Sequence, residues 1–246
     1  MQNDSIGVIL AAGEGKRMGG DLPKGLMNIG GRSILERLAQ VIQEVTGNKA
    51  IAVVGHGKEE IKKIFGDSLI YVTQEEQLGT AHALLQAKEV CTGAKRIAVF
   101  YGDHPFISSQ TIKRLLEKSE QNGAEITLAT AVVPNFENKY KIFLNFGRVV
   151  RENGKIKNIC EYKDASENEK NIMEVNPGYY VFDAKWLWPH LEKVGNNNAQ
   201  GEYYLTDLLH MAQNEGVKIT SIGIPPQEAL GANSKEELEI LERFTA

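Results

Sequence analysis

The first half of the chain alternates short apolar runs with amphipathic stretches. Residues 6–10, 51–54, 69–72, 97–101 and 126–133 are dense in Val, Ile and aromatic side chains and read as buried strands. Between them, residues 33–46, 58–65, 80–91 and 109–121 carry helical periodicity, with Leu35, Leu38, Val41, Ile42 and Val45 on one face of the first. That alternation predicts a parallel sheet with helices on both faces. Ligands of such sheets sit beyond the carboxyl ends of the strands.

After about residue 134 the rhythm changes. Residues 143–151 and 155–161 read as strands flanking Glu152-Asn153-Gly154, where Asn-Gly predicts a hairpin turn. Residues 163–170 read as a polar loop, 179–182 as a strand, 207–213 as a helix and 217–222 as a strand. A last helix over 234–244 starts at Ser234, with Glu237 three residues on as its capping-box partner. No internal repeat or low-complexity linker is present.

Composition narrows the function classes. A chain of 246 residues that is 42% hydrophobic and 24% charged suits a globular protein with a sizeable core. Its formal net charge of −4 offers no basic field for nucleic acid, so any phosphate binding has to be local. Cys91 and Cys160 lie far apart and lack metal-ligand spacing, which fits a reduced cytoplasmic protein. No apolar run approaches membrane-spanning length. The first residues have neither the basic nor the apolar part of a signal peptide.

The densest chemistry follows the first strand, in Leu10-Ala11-Ala12-Gly13-Glu14-Gly15-Lys16-Arg17-Met18, closed by Leu22-Pro23-Lys24. Glycines let this backbone bend and expose its N–H groups, and Arg17 and Lys24 bring two cations to the same loop. Such a loop suits a polyphosphate. It is neither of two familiar phosphate loops. The dinucleotide fingerprint needs a small residue where Met18 stands, and the P-loop needs Ser or Thr where Arg17 follows Lys16.

Four further segments accompany it. They are Gln74-Glu75-Glu76-Gln77-Leu78-Gly79-Thr80-Ala81-His82-Ala83, then Tyr101-Gly102-Asp103-His104-Pro105, then Glu161-Tyr162-Lys163-Asp164-Ala165 with Asn176-Pro177-Gly178, and finally 196–207 with Gly231-Ala232-Asn233. In content, order and spacing the set resembles the sugar-nucleotidyltransferase family. Within it, the chain is most similar to the pyrophosphorylase domains of bacterial bifunctional N-acetylglucosamine-1-phosphate uridyltransferases. The likeness runs from residue 6 to the final helix.

The resemblance implies a Rossmann-like, three-layer α/β nucleotidyltransferase fold with a mostly parallel sheet and a smaller β-rich sugar-binding lobe. One domain would span 1–246, with a nucleotide-binding half to about residue 133, a sugar-binding half over about 134–230 and a terminal helix over 232–245. It implies transfer of a uridylyl group from UTP to a sugar 1-phosphate, chiefly N-acetylglucosamine 1-phosphate, with release of pyrophosphate. Catalysis of this kind rests on positioning and charge stabilisation, without a nucleophilic Ser or Cys. Arg17 would neutralise the departing pyrophosphate and Lys24 would grip the sugar-nucleotide phosphate. Asp103 and Asn233 would bind Mg²⁺. Leu10, Ala11, Ala12, Gly13, Gln74, Gly79, Thr80, Tyr101 and Gly102 would hold the nucleotide. Gln74 could pair one donor and one acceptor with uracil O4 and N3–H. Gly147, Glu161 and Asn176 would bind the amino sugar.

The histidines carry no assigned chemistry; His82 reads as a packing or capping residue at a helix start. Trp186 and Trp188 read as wall or core residues. Two departures bear on the sugar. Residues 135–146 are longer than the family's segment, and Pro177 replaces the threonine of Asn-Thr-Gly, removing an N–H and a hydroxyl. The family's left-handed β-helix, which carries acetyl transfer and trimerisation, has no hexapeptide counterpart in this sequence. Neither property is expected by that route.

Overall fold

A computed structural model describes residues 4–13, 23–232 and 234–242. The first strand, β1 (Ser5–Ala11), lies between β4 (Ile51–Val54) and β6 (Arg96–Tyr101), and β5 (Ile70–Thr73) flanks β4. These four strands are mutually parallel. A small ladder of β2 (Asn28–Ile29) and β3 (Arg32–Ser33) stands apart from them. Their connections are helices α1 (Ile34–Thr46), α2 (Lys58–Phe65) and α3 (Thr80–Gln86).

Beyond β6 the sheet becomes mixed. Strand β11 (Tyr180–Asp183) inserts antiparallel between β6 and β7 (Ile126–Val132). The far edge of β7 takes β12 (Ile219–Ile224) in parallel. The carboxyl end of β7 pairs with β10 (Glu174–Asn176), which continues antiparallel into β8 (Gly147–Glu152) and β9 (Lys155–Cys160). Among the described residues, ten strands thus form one sheet.

The core is split by the strand pleat. Val8, Ile51, Val53, Ile97 and Val99 face one cluster, and Ile9, Ala52, Val54, Ala98 and Phe100 face the other. The second of these faces receives α1, α2 and α4 (Ser109–Asn122) through Leu38, Ile42, Ile61 and Leu115. The first receives α3, α6 (Ala184–Leu191) and α7 (Asp207–Glu215) through Leu84, Leu187 and Leu208. Each such side chain contributes roughly 1.5–3 kcal/mol by leaving water. Helix α1 starts at Ser33, whose hydroxyl accepts from Glu36 N at 3.2 Å, and stops at Gly47 in the left-handed region. Among the described residues no helix is long and apolar enough to cross a membrane.

Several local expectations change. The predicted helix over 80–91 ends at Gln86, where Ala87 N bonds the i−3 carbonyl of Leu84 and a run of turns follows. The strand expected from residue 143 begins at Gly147, because residues Asn138–Phe143 form a 3₁₀ turn. Arg148 enforces that turn. It is fully buried and donates to the carbonyls of Phe143, Leu144, Phe146 and Lys170, with no carboxylate among these partners. Its guanidinium also stacks on Phe136 at 4.3 Å from the ring centroid. The polar run 163–170 contains a one-turn helix, α5 (Glu167–Lys170), closed by a Ser166–Glu169 capping box. The hairpin turn does form at Asn153-Gly154, both with positive φ. The last helix, α8 (Lys235–Glu242), has Ser234 Oγ accepting from Glu237 N at 3.2 Å.

Candidate active site

Two adjoining cavities open at the carboxyl ends of β1, β5 and β6. The larger, of about 620 Å³, is lined by Leu10, Ala11, Ala12 and Gly13 from the end of β1, and by Gln74, Gly79 and Thr80 from the β5–α3 connection. Lys24, Tyr101, Gly102 and Asp103 complete its floor. The smaller, of about 220 Å³, is lined by Gly147, Glu161 and Asn176 from the β-rich side. Tyr101 and Asp103 belong to both. Every described residue singled out from the sequence therefore faces one of two connected spaces. Arg17 and Asn233 lie outside the described residues.

Sequence reasoning missed some of the walls. Gln77, Ala83 and Glu202 line the larger cavity, and His104, Ile142, Asn145, Phe146 and Glu237 line the smaller. The first three belong to the motif segments themselves, so their signal was present. Ile142, Asn145 and Phe146 belong to the long segment that departs from the family pattern, which places that departure in the wall of the smaller cavity.

Segment 196–207 reaches the Gly79–Thr80 end of the larger cavity by pairing with the α3 entrance. Tyr203 N donates to Leu78 O at 2.8 Å, and Ala81 N donates to Tyr203 O at 2.9 Å. Gly79 sits between them with φ +115°, and a Cβ there would meet Tyr203 O at 2.6 Å. Both backbone angle and space demand glycine.

Gln74 is 3% exposed, and its amide orientation is set by its neighbours. Its Nε2 donates to Gly79 O at 3.2 Å and lies 2.9 Å from His82 Nδ1. The donor half of the expected uracil pairing is thus engaged within the protein, which leaves Oε1 for a ligand.

At the junction of the cavities, Lys24 Nζ lies 3.6 Å from Asp103 Oδ2. Asp103 Oδ1 is 2.8 Å from His104 Nδ1, in an approach too bent for an aligned hydrogen bond. Burial pushes the Asp103 carboxyl up, but the His104 ring and the Lys24 ammonium outweigh it and hold it at about 2. The carboxylate is ionised throughout the physiological range and keeps lone pairs for a hard cation. That fits Mg²⁺, which takes few protein ligands and retains its waters.

Glu161 faces the opposite electrostatics. Burial raises its carboxyl above the ordinary 4.5, the Thr206 hydroxyl at 3.1 Å opposes this, and Asp164, Asp207 and Glu202 push it further up. The Asn176 side chain is tied into its own turn, donating to Tyr180 Oη at 2.6 Å and accepting from Gly178 N at 3.1 Å. Gly178, with φ +78°, brings that turn against the Tyr101 ring, where a Cβ would lie 2.3 Å from Cδ2. The two cavities therefore share a wall built from β6 and the β10–β11 turn.

The family model for the MobA-like NTP transferase domain matches residues 7–210. The chain belongs to this family. Among curated relatives it is 40% identical over 234 residues to the bifunctional protein GlmU of Clostridium novyi (strain NT), covering 94% of this chain and 50% of the relative. It is 38% identical over 240 residues to GlmU of Bacillus subtilis (strain 168), covering 96% and 51%. The chain spans about half the length of these relatives. Among solved structures, a putative glucose-1-phosphate thymidylyltransferase from Bacillus anthracis superposes with a TM-score of 0.79 at 18% identity, covering 98% of this chain and 95% of that one. A UDP-glucose pyrophosphorylase complexed with UDP-glucose gives 0.75 at 16% identity, covering 98% of both chains. These structures share the α/β fold expected from the sequence.

Proposed function

We propose that this chain transfers a uridylyl group from UTP to a sugar 1-phosphate and releases pyrophosphate. The observation that carries this reading is the shared boundary of the two cavities. Nucleotide-side and sugar-side residues line separate spaces that meet at Tyr101 and Asp103. Two phosphorylated substrates bound on either side would meet at that boundary.

The step needs no covalent enzyme intermediate. A phosphate oxygen of the sugar 1-phosphate attacks the α-phosphorus of UTP. The bond from that phosphorus to the bridging oxygen of the β-phosphate breaks in line, and pyrophosphate leaves with the electron pair. Lys24 holds a cation at the junction, and Arg17 is assigned to the departing pyrophosphate. Aligning the reactants supplies ~7–11 kcal/mol of the barrier, and each charge-assisted bond adds about 1.5–3 kcal/mol. Asp103 and Asn233 are the residues that would hold Mg²⁺, which when bound neutralises charge on the crowded phosphates.

N-acetylglucosamine 1-phosphate is the proposed acceptor, supported by the GlmU relatives. A different sugar 1-phosphate is the second reading. It is favoured by the Ile142, Asn145 and Phe146 wall and by Pro177 beside Asn176. A cytoplasmic setting suits the two cysteines, neither of which is disulfide-bonded. Pyrophosphate release, measured with Mg²⁺ across four nucleoside triphosphates and a panel of sugar 1-phosphates, tests the reading. A signal with UTP and N-acetylglucosamine 1-phosphate alone supports the first form. UTP with another sugar supports the second. UTP binding without turnover by any pair would overturn the enzyme reading in favour of a sugar-nucleotide sensor.

A further inference from the structure

We propose that His82 is a positioning residue for base selection, acting through Gln74 without lining the cavity itself. The inference rests on the reading of the larger cavity as the nucleotide site. Gly79 O can only accept, so the atom of the Gln74 amide that faces it at 3.2 Å has to be the NH₂ group. The same nitrogen lies 2.9 Å from His82 Nδ1. One hydrogen serves each partner, and Nδ1 must then carry a lone pair. The His82 proton is fixed on Nε2.

The other side of the ring is compatible with this assignment. Gln86 Nε2 lies 3.2 Å from His82 Nε2 and donates to His82 O at 3.1 Å. A neutral imidazole has a single acceptor, so the two amides compete for it. Gln74 makes the shorter contact. It is also the amide that cannot turn over, because its oxygen would then face Gly79 O inside a site that is 3% exposed. Gln86 keeps its hydrogen on His82 O at 3.1 Å, and its longer 3.2 Å approach to Nε2 is then a contact and not a hydrogen bond.

The consequence reaches the ligand. With both hydrogens engaged, Gln74 presents only Oε1 to the cavity. A lone carbonyl oxygen complements an imide N–H, the group that uracil and thymine place at N3. Cytosine has a lone pair at N3, and two acceptors then face each other. The ligand class selected is an imide pyrimidine nucleotide, and His82 maintains the selection by denying Gln74 its alternative orientation. Without an acceptor at Nδ1, the Gln74 amide loses one of the two bonds that fix it and can turn a donor toward the base.

Direct binding of UTP and CTP to the full chain, measured by calorimetry, tests this without requiring turnover. The wild-type protein is expected to prefer UTP. His82→Leu, of similar bulk but with no acceptor, is expected to reduce the UTP-to-CTP preference by roughly tenfold or more, the scale of one mismatched buried hydrogen bond. His82→Asn places an acceptor near the Nδ1 position and is expected to recover most of the preference. A merely structural role would move both affinities together and leave their ratio alone. An unchanged ratio in His82→Leu would overturn the inference while the nucleotide site stands. If His82→Leu does not fold, the ratio in His82→Ala against His82→Asn decides the same point, equal ratios overturning it. Failure of the wild-type protein to bind any nucleotide would overturn the reading of the cavity itself, and the inference with it.

Discussion

Leu205 N donates a 2.9 Å hydrogen bond to the Thr80 hydroxyl, joining residues 125 positions apart. With the Tyr203 bonds to Leu78 and Ala81, it makes the two most distinctive sequence segments one continuous wall of the larger cavity. Their co-occurrence in the sequence thereby has a mechanical cause. Thr80→Val keeps the shape and strands the buried Leu205 amide. The variant is expected to lose about 1–3 kcal/mol of stability and to weaken UTP binding. Thr80→Ser is expected to restore both. Urea unfolding and calorimetry check this, and a Thr80→Val protein of wild-type stability would remove the bond from the account.

Asp103 is expected to govern the metal requirement. Asp103→Ala removes the one described carboxylate at the junction of the cavities. Half-maximal pyrophosphate release should then need at least about tenfold more Mg²⁺, the scale of a lost supporting contact at a metal. An unchanged Mg²⁺ titration would put the metal elsewhere.

Glu161 makes stability depend on pH with a defined sign. Its folded-state carboxyl is raised above the ordinary 4.5, so the native protein binds the extra proton. The contribution is fully present below the ordinary value and is lost as pH rises through the raised one. Glu161→Gln removes this loss. Relative to wild type, the variant should gain stability as pH rises through that window, while its KM for the sugar 1-phosphate rises. Urea midpoints from pH 4 to 8 provide the comparison, and parallel curves for the two proteins would contradict it.

Arg148 is a buried cation that organises the wall of the smaller cavity. Arg148→Leu leaves the carbonyls of Leu144, Phe146 and Lys170 without their donor, while Phe143 O keeps the Phe146 amide. The expected loss is upward of about 3 kcal/mol, since each stranded buried group costs about 1–3 kcal/mol. Arg148→Lys retains charge without the planar fork and should recover only part of it. Thermal unfolding reads the stability, and the KM for the sugar phosphate should rise more than the KM for UTP.

Arg17→Ala is expected to fold normally and to lower turnover by orders of magnitude, the scale of lost electrostatic stabilisation in a transition state. Near-normal pyrophosphate release by this variant would remove Arg17 from the mechanism.

What the sequence reveals follows physical period and locality. Helix α1 is legible because Leu35, Leu38, Ile42 and Val45 repeat at helical spacing between a serine cap and a glycine stop. Strands β1, β4 and β6 are legible as short Val- and Ile-rich runs. Helix α6 was hidden, because Trp186, Trp188 and Pro189 mask its period. Its signal was Asp183, whose carboxylate accepts from Lys185 N and Trp186 N. Helix α5 was hidden by its polarity, although Ser166 and Glu169 spell a capping box. Residues 143–146 look like strand by composition, and the buried Arg148, only two to five positions on, holds their carbonyls in a turn that residue type alone does not announce. At the site, residue identities were legible and their commitments were not. The types of Gln74 and His82 are in the sequence, but which atom of Gln74 is left for a ligand depends on three partners meeting in space.

The insertion of β11 between β6 and β7 has a consequence for biosynthesis. A nascent chain that has emerged through residue 133 holds β1, β4, β5 and β6, yet β6 and β7 have no shared partner until residues 180–183 leave the ribosome. Through that interval two apolar strand edges stay open, a state prone to edge-to-edge association. Strands β1, β4, β5, β6 and β7 therefore do not make a continuous sheet by themselves. Their seam is sewn by a segment that is synthesised some fifty residues later.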